Sequence, residues 1–396
     1  MHILLIEATL SGHHLIYLER TALAFLQDGN EITIAIPSGT KEIETLRSNL
    51  MWKKSIRWIE YKSTFELSSV GLRGLLVREC SARACFGQVY METNKLSQVD
   101  YVFLPYIDYC LYAFGLLGSP FGVSFFGGIS MRPAFHYKNY EVIAPSTKID
   151  IIKRYIFLRL LKNRYLSKLL SIDELLIDYV TKKHPSATNK IGYLADPVAM
   201  PVDVNVANIR NNFNTPNNSK VILVYGSIDD RKGIELLLDT LEVEKSMIDW
   251  QVWLIGRQSK TVRELLASNR WSFLTKQARF QMLDEFVSAE TEQQVFSACD
   301  VVWVVYRGHY AMSGVLVRAG VHGKPVIACC EGLIGWYTKT KKLGFIVDST
   351  TESVISALSS INKLCGNEDY EKNGANCFEE NTWQKFDKNI IGAIDD

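Results

Sequence analysis

Short apolar runs, polar loops and stretches of helical period alternate along this chain. HILLIE at 2–7 is apolar enough for a buried strand, and ATLSGHH after it reads as a turn. LIYLERTALAFLQDG then sets Leu15, Leu18, Ala22, Leu23 and Leu26 on one side of a helix, and EITIAIP returns as a strand ending at Pro37. Strand, loop, helix and strand in succession predict a parallel sheet. DYVFLP (100–105) and FGVSFF (121–126) extend the series, and KIGYLADPV (190–198) closes it. The stretch to Ser219, rich in Asn, Val and Pro, has no clear period and reads as an interdomain connection. A second series follows: strands at KVILVYG (220–226), WQVWLIG (250–256), VVWVV (301–305) and VIACC (326–330), with a helix at IELLLDTLE. Ser313-Gly314 opens a further helix over Val315–Val321, which Gly323-Lys324-Pro325 ends. Free amides at that start, strengthened by the helix dipole, make an anion site.

Tyr109–Met131 is uncharged throughout and long enough to raise the question of a membrane span. Six Gly and Pro breakers, with LGSP as a turn, divide it instead into a helix (109–117) and a strand (121–126) of a soluble domain.

With 396 residues, about two domains are expected, and 47% hydrophobic content supplies their cores. A net charge of +1 argues against a nucleic-acid partner bound by overall charge. The eight cysteines show no metal-ligand spacing and read as reduced, buried thiols. MHILLIEATLSGHH has no basic leader region or small-residue cleavage site, so a cytoplasmic location is expected.

Candidate chemistry gathers where strands exit, since open parallel sheets bind ligands at their carboxyl ends. Gly12, His13 and His14 follow the first strand, Asp108 follows DYVFLP, and Arg132 follows FGVSFF. A plain turn, a helix N-cap for Asp108 and a surface ion pair for Arg132 are the competing readings. Lys148–Leu170 interleaves seven basic residues with isoleucine, leucine and aromatics against one acid, Asp150. Read as a helix it either packs on its own domain with a basic edge or meets an anionic membrane surface, where each basic residue adds about 1 kcal/mol.

The second half resembles the donor domain of the retaining glycosyltransferases of GT-B fold, the large family-four-like group of many bacterial polysaccharide enzymes. Gly226-Ser227-Ile228 through Lys232-Gly233 is similar to its GR…KG loop, and Leu254-Ile255-Gly256-Arg257 to its G-x-G strand end. Ala319 through Gly323-Lys324-Pro325-Val326-Ile327, the glycine-rich turn Gly332–Gly335 and Leu343-Gly344-Phe345 match its best-known signature. FEENTWQKF resembles the closing segment, whose last helix returns to the first domain. Tyr310 and Arg318 stand in the two glutamate positions of that signature, and Ser227 replaces the arginine of the GR pair.

The resemblance implies an α/β chain of two Rossmann-like domains facing each other across a cleft. The expected division is an acceptor domain at 1–200, a donor domain at 201–378 and a returning helix at 379–396. It implies transfer of a sugar from a nucleotide donor to a glycan or lipid-linked acceptor with retention, without metal or other cofactor, in surface polysaccharide synthesis. Lys232 and Asp108 are then the catalytic candidates. Ser227, Lys232, Arg257, Ser313, Gly314, Val315 and Arg318 would meet the donor, and Gly12, His13, His14 and Arg132 the acceptor. His309 rivals the two earlier histidines for sugar contacts. Arg318, Arg231 or Arg257 is expected to replace the missing phosphate-binding arginine. In the membrane reading of the basic stretch, residues 148–168 would rest on the inner face of the membrane. A silent nucleotide-sugar-binding subunit and a nucleotide-sugar epimerase are the alternatives.

Overall fold

The computed structural model describes residues 1–40, 42–50, 56–68, 71–216, 218–363 and 368–394. These form two compact units, one from Met1–Tyr140, Pro145–Ala195 and Gln384–Asp396, the other from Glu141–Ala144 and Asp196–Trp383.

The first unit is built on β1 (His2–Ile6), β2 (Glu31–Pro37), β3 (Ile56–Tyr61), β4 (Tyr101–Leu104), β5 (Phe125–Ser130), β6 (Leu166–Ser171) and β7 (Ile191–Tyr193). All pair in parallel, in the order β3-β2-β1-β4-β5-β6-β7. Alternate residues of β1 feed opposite faces: Leu4 and Ile6 join one core cluster, Ile3 and Leu5 another. Both faces are therefore covered, which is why HILLI is an unbroken apolar run. Gly127 has to be a glycine, because a Cβ there would lie 2.3 Å from the Tyr101 hydroxyl oxygen.

The second unit carries β8 (Lys220–Tyr225), β9 (Trp250–Ile255), β10 (Phe280–Leu283), β11 (Val301–Val304), β12 (Val326–Cys329) and β13 (Gly344–Val347). These too are parallel, in the order β10-β9-β8-β11-β12-β13. In each sheet the strand order reverses once, between β1 and β4 and between β8 and β11. Such a switch point splays the following loops apart and leaves a crevice at the strands' carboxyl ends.

Several expectations shift. The strand placed at 121–126 begins at Phe125, because Gly122 at φ 60° starts a turn closed by Ser124 N–H donating to Phe121 O. The basic stretch is not one helix. It is a helix over Ile149–Leu161, a turn in which the Tyr165 amide donates to Asn163 Oδ1 at 2.9 Å, and then β6. Gly332–Gly335 is not a turn but the start of the helix Gly332–Thr340. The supposedly irregular connection contains the helix Val206–Asn212, with Asn205 Oδ1 accepting from Asn208 N–H. The second unit starts at Asp196 rather than 201, since Val198 N–H donates to Asn381 O and Asn381 Nδ2 to Asp196 O. Residues 384–396, rather than 379–396, lie in the first unit. Their helix, Trp383–Ile391, buries Phe386 and Ile390 completely in the cluster around Ile3 and Leu5, and Asp387 accepts from Arg20 at 2.9 and 2.5 Å. Among the described residues no helix is long and apolar enough to cross a membrane. Among the described residues seven cysteines lie outside any disulfide, but only Cys85, Cys110 and Cys299 are buried and Cys330 is exposed; Cys365 lies outside the described residues.

Candidate functional site

In the second unit a cavity of about 210 Å³ opens where β8 and β11 part, walled by the β8 exit loop and the start of the helix Gly314–Val321. Gly226 leaves β8 at φ 94°, and Gly256 leaves β9 so close beside it that a Cβ would lie 2.0 Å from Gly226 O. Gly233, left-handed at φ 60°, turns the chain back under Val305 O. These glycines bring Lys232 inward. Its Nζ donates to Tyr225 O at 2.8 Å and to the Tyr306 hydroxyl at 2.5 Å, and it sits 4.1 Å from the centre of the Tyr306 ring. Burial outweighs the pull of Asp229, and Arg231 adds to it, so the Lys232 ammonium is held down to about 7.

Ser227, Ser313, Gly314 and Val315 line the same cavity. Ser313 caps the helix, its Oγ accepting from Val315 N–H, so Val315 contributes its side chain and not a free amide. Among the described residues the Ser313 and Gly314 amides have no acceptor, and they are the donors left for an anion. His309 also lines it, held by the Met312 carbonyl, with burial lowering its basicity.

Two expected donor residues stand apart. Arg318 folds onto its own helix and onto Glu292: Nη1 donates to Gly314 O at 3.0 Å, and Nε lies 2.8 Å from Glu292 Oε1. The other Glu292 oxygen accepts from Tyr225 OH at 2.6 Å. The positive charge at that signature position thus brings its own counter-ion. Arg257 is exposed and outside the cavity wall. Of the three arginines considered, Arg231 alone lines the cavity, its fork on Asp229 with Nη2 to Oδ2 at 2.7 Å. Tyr310 supports the helix Gly332–Thr340 through its carbonyl, which accepts from Leu333 N–H at 3.0 Å.

In the first unit the matching switch point gathers residues from β1, β4 and β5. Gly12, at φ 63°, opens the helix His13–Gln27 with open space where a Cβ would stand. His13 stacks on His14 and meets the Tyr106 ring at 5.7 Å. Desolvation, then His14 and Arg132, hold it down to about 4, so it is neutral at neutral pH. His14 turns inward and is buried, 3.1 Å from Glu7 Oε1, which removes it from direct acceptor contact. Arg132 is exposed over the rings of Tyr106 and Tyr109 at 5.2 and 5.7 Å. Asp108 is buried. Its oxygens accept from Ser130 OH at 2.7 Å and from the Met131 and Arg132 amides at 2.6 and 3.1 Å, while desolvation raises its pKa. Its shown contacts hold the β5 exit loop, which makes it a positioning residue for Arg132.

Asp108 and Arg132 share a cavity of about 480 Å³ with two residues the sequence did not single out, Arg78 and Glu79. Both sit inside the helix Gly71–Leu96, where nothing in the hydrophobic period marks them. Glu79 Oε2 accepts from Tyr112 and Ala113 N–H at 2.7 and 3.0 Å, yet burial pushes its carboxyl up to about 7.

Residues 219–363 match the family described as glycosyl transferases group 1. No curated protein sequence matches the chain. Among solved structures, sucrose-phosphate synthase from Thermosynechococcus elongatus superposes with a TM-score of 0.67 at 15% identity, covering 100% of this chain and 98% of that one. HepE from Anabaena, in complex with UDP and glucose, gives 0.64 at 13%, covering 100% and 99%. WaaG, a glycosyltransferase involved in lipopolysaccharide biosynthesis, gives 0.60 at 13%, covering 100% and 99%. At these identities the likeness shows the fold: two Rossmann-like α/β units of the GT-B type.

Proposed function

We propose, with a glycosyl transferases group 1 segment as premise, that the chain moves a sugar from a nucleotide-sugar donor to a glycan or lipid-linked acceptor. The observation that carries this reading is Lys232, a buried amine poised near neutrality beside the two unpaired amides of Ser313 and Gly314. Breaking a sugar–diphosphate bond builds negative charge on the departing phosphate. Fixed donors aimed at that charge lower the barrier without reorganising. Arg231 adds a second cation by exchanging Asp229 for the diphosphate, in the role left open by Ser227.

Retention follows in this reading from attack by the acceptor on the face the diphosphate leaves, within an ion pair. Asp229, the carboxylate of the donor cavity, is occupied by Arg231 and is not offered as a nucleophile. Lys232, Arg231 and the two amides supply the positive charge that a metal brings in other transferases. HepE is crystallised with UDP-glucose, and a uridine donor is the first to try here. Bacterial surface polysaccharide synthesis at the inner membrane face is the proposed setting.

Thermal-shift screening of nucleotide sugars, then product analysis with crude lipid acceptors, tests the reading. Transfer should appear with at least one donor. Lys232→Ala should lower turnover by about 100-fold or more, the scale of losing one transition-state donor, and Arg231→Met should weaken donor binding. Binding without transfer to any acceptor would favour a silent subunit, and donor conversion without acceptor an epimerase.

A further inference from the structure

The first-unit cavity of about 480 Å³ gathers three cations, of which, among the described residues, Arg78 has a carboxylate within ion-pair range. Arg78, 8% exposed, lines it with a buried Nε that no group satisfies. Its nearest acid, Glu79, is 3.7 Å from Nη2, too far for a hydrogen bond. Lys153, half-buried on the helix Ile149–Leu161, and Arg132, above the Tyr109 ring that Arg78 also meets at 5.8 Å, complete three positive groups. Among the described residues neither the Lys153 ammonium nor the Arg132 guanidinium is hydrogen-bonded to a carboxylate.

The two acids on the wall do not cancel them. Asp108 spends its oxygens on Ser130, Met131 and Arg132; Glu79 Oε2 accepts from two amides, while its Oε1, without a hydrogen-bond partner, faces Arg78 at 3.7 Å. A buried guanidinium with an idle N–H costs free energy unless something accepts from it. A cavity of about 480 Å³ has room for a tetrahedral oxyanion and part of the group bearing it. Guanidinium forks suit such an anion, because they donate two parallel hydrogen bonds.

We propose that this cavity is an oxyanion subsite, in which Arg78, Lys153 and Arg132 hold a phosphate group of the acceptor. This rests on the transferase reading above for the word acceptor, while the anion site itself stands on the cavity. The helix that carries Lys153 also exposes Ile151, Ile152, Tyr155 and Arg159, with Lys148 and Lys162 at its ends, and a phosphate on a lipid carrier is one source of the anion. A water-soluble sugar phosphate would satisfy the same groups.

The experiment titrates inorganic phosphate calorimetrically into the full chain carrying Arg231→Met and Lys232→Met, which removes both cations of the donor cavity. Adding Lys153→Met should weaken phosphate binding about tenfold, the scale of one charged hydrogen bond. Arg78→Met should do the same where circular dichroism shows it folded; Lys153→Met, at a half-exposed position, keeps the test open if it is not. A second arm compares flotation with phosphatidylcholine vesicles containing polyprenyl phosphate or an equal charge of phosphatidylglycerol. A Lys153→Met loss confined to polyprenyl phosphate assigns the site to a lipid carrier. Weakened phosphate binding with unchanged flotation assigns it to a soluble acceptor. If the chain carrying Arg231→Met and Lys232→Met binds no phosphate, or binds it equally well with and without Lys153→Met, the proposal is overturned. Transfer is measured separately on the chain with Lys232 intact: transfer with phosphate binding unmoved by Lys153→Met loses the subsite alone, and phosphate binding through Lys153 without transfer by the intact chain loses the transferase reading alone.

Discussion

Lys232 shows how burial brings an ordinary lysine close to neutrality. Unfolded, it holds its proton to about 10.5; folded and empty, it releases it near 7. Between those values the unfolded chain binds more protons, so this residue's contribution to stability rises with pH from about 7 and levels off near 10.5. Its cost is complete below 7. In the transferase reading a diphosphate bound beside Lys232 restores the charge, so nucleotide binding above pH 7 would take up a proton. Calorimetry in two buffers of different ionisation heat should show net uptake, with affinity falling by up to about tenfold per pH unit above 7. The signal should vanish in Lys232→Met, and equal affinity at pH 6.5 and 9 would sink the assignment. The lysine was legible in the sequence because a left-handed glycine follows it and an apolar strand precedes its loop. Arg318 was not. Its partner Glu292 lies on another helix, and only the fold shows the pair that holds Arg318 against its own helix. Arg78 and Glu79 were silent for the same reason: chemistry inside a long helix leaves no trace in its period.

Among the elements, the strands were the most legible, since a strand buried on both faces must be apolar throughout. Boundaries failed where local turn chemistry decided them, at Gly122 and Asn163. The basic stretch is the instructive case, because splitting it into a helix and β6 separates buried from exposed positions. Ile156, Phe157 and Leu160 are buried, whereas Ile151, Ile152 and Tyr155 are more than half exposed with Lys148, Arg159 and Lys162 on the same face. Apolar side chains beside lysine and arginine suit an anionic bilayer surface, into which the former insert while the latter meet headgroups. Flotation with phosphatidylglycerol vesicles should therefore retain the chain at low salt. Replacing Ile151 and Tyr155 by Ser, and separately Arg159 and Lys162 by Gln, should each weaken it, the charge pair by about 1 kcal/mol per residue. Unaltered flotation in both would return this helix to a plain solvated face.

At the scale of the whole molecule, sequence order and physical order part company at the end of the chain. The chain finishes the second sheet and then gives its last helix to the first unit, next to residues from its beginning. Phe386 meets Tyr17 edge-on at 5.6 Å, Ile390 is fully buried, and the Ala393 carbonyl accepts from Tyr101 OH at 3.3 Å. The high amphipathicity of WQKFDKNII marks a helix that needs a partner, but no local pattern says which sheet supplies it. The packing predicts an asymmetric response to one substitution. Phe386→Ala removes an aromatic ring from a closed core and should cost about 3–5 kcal/mol. In hydrogen exchange the loss of protection should concentrate in β1, β4 and the helix His13–Gln27, while β8, β9 and β11 keep theirs, because cooperative units open separately. If β8 and β11 lost protection equally, the closing helix would have to stabilise both units, and the allocation of residues 384–396 to the first would fail.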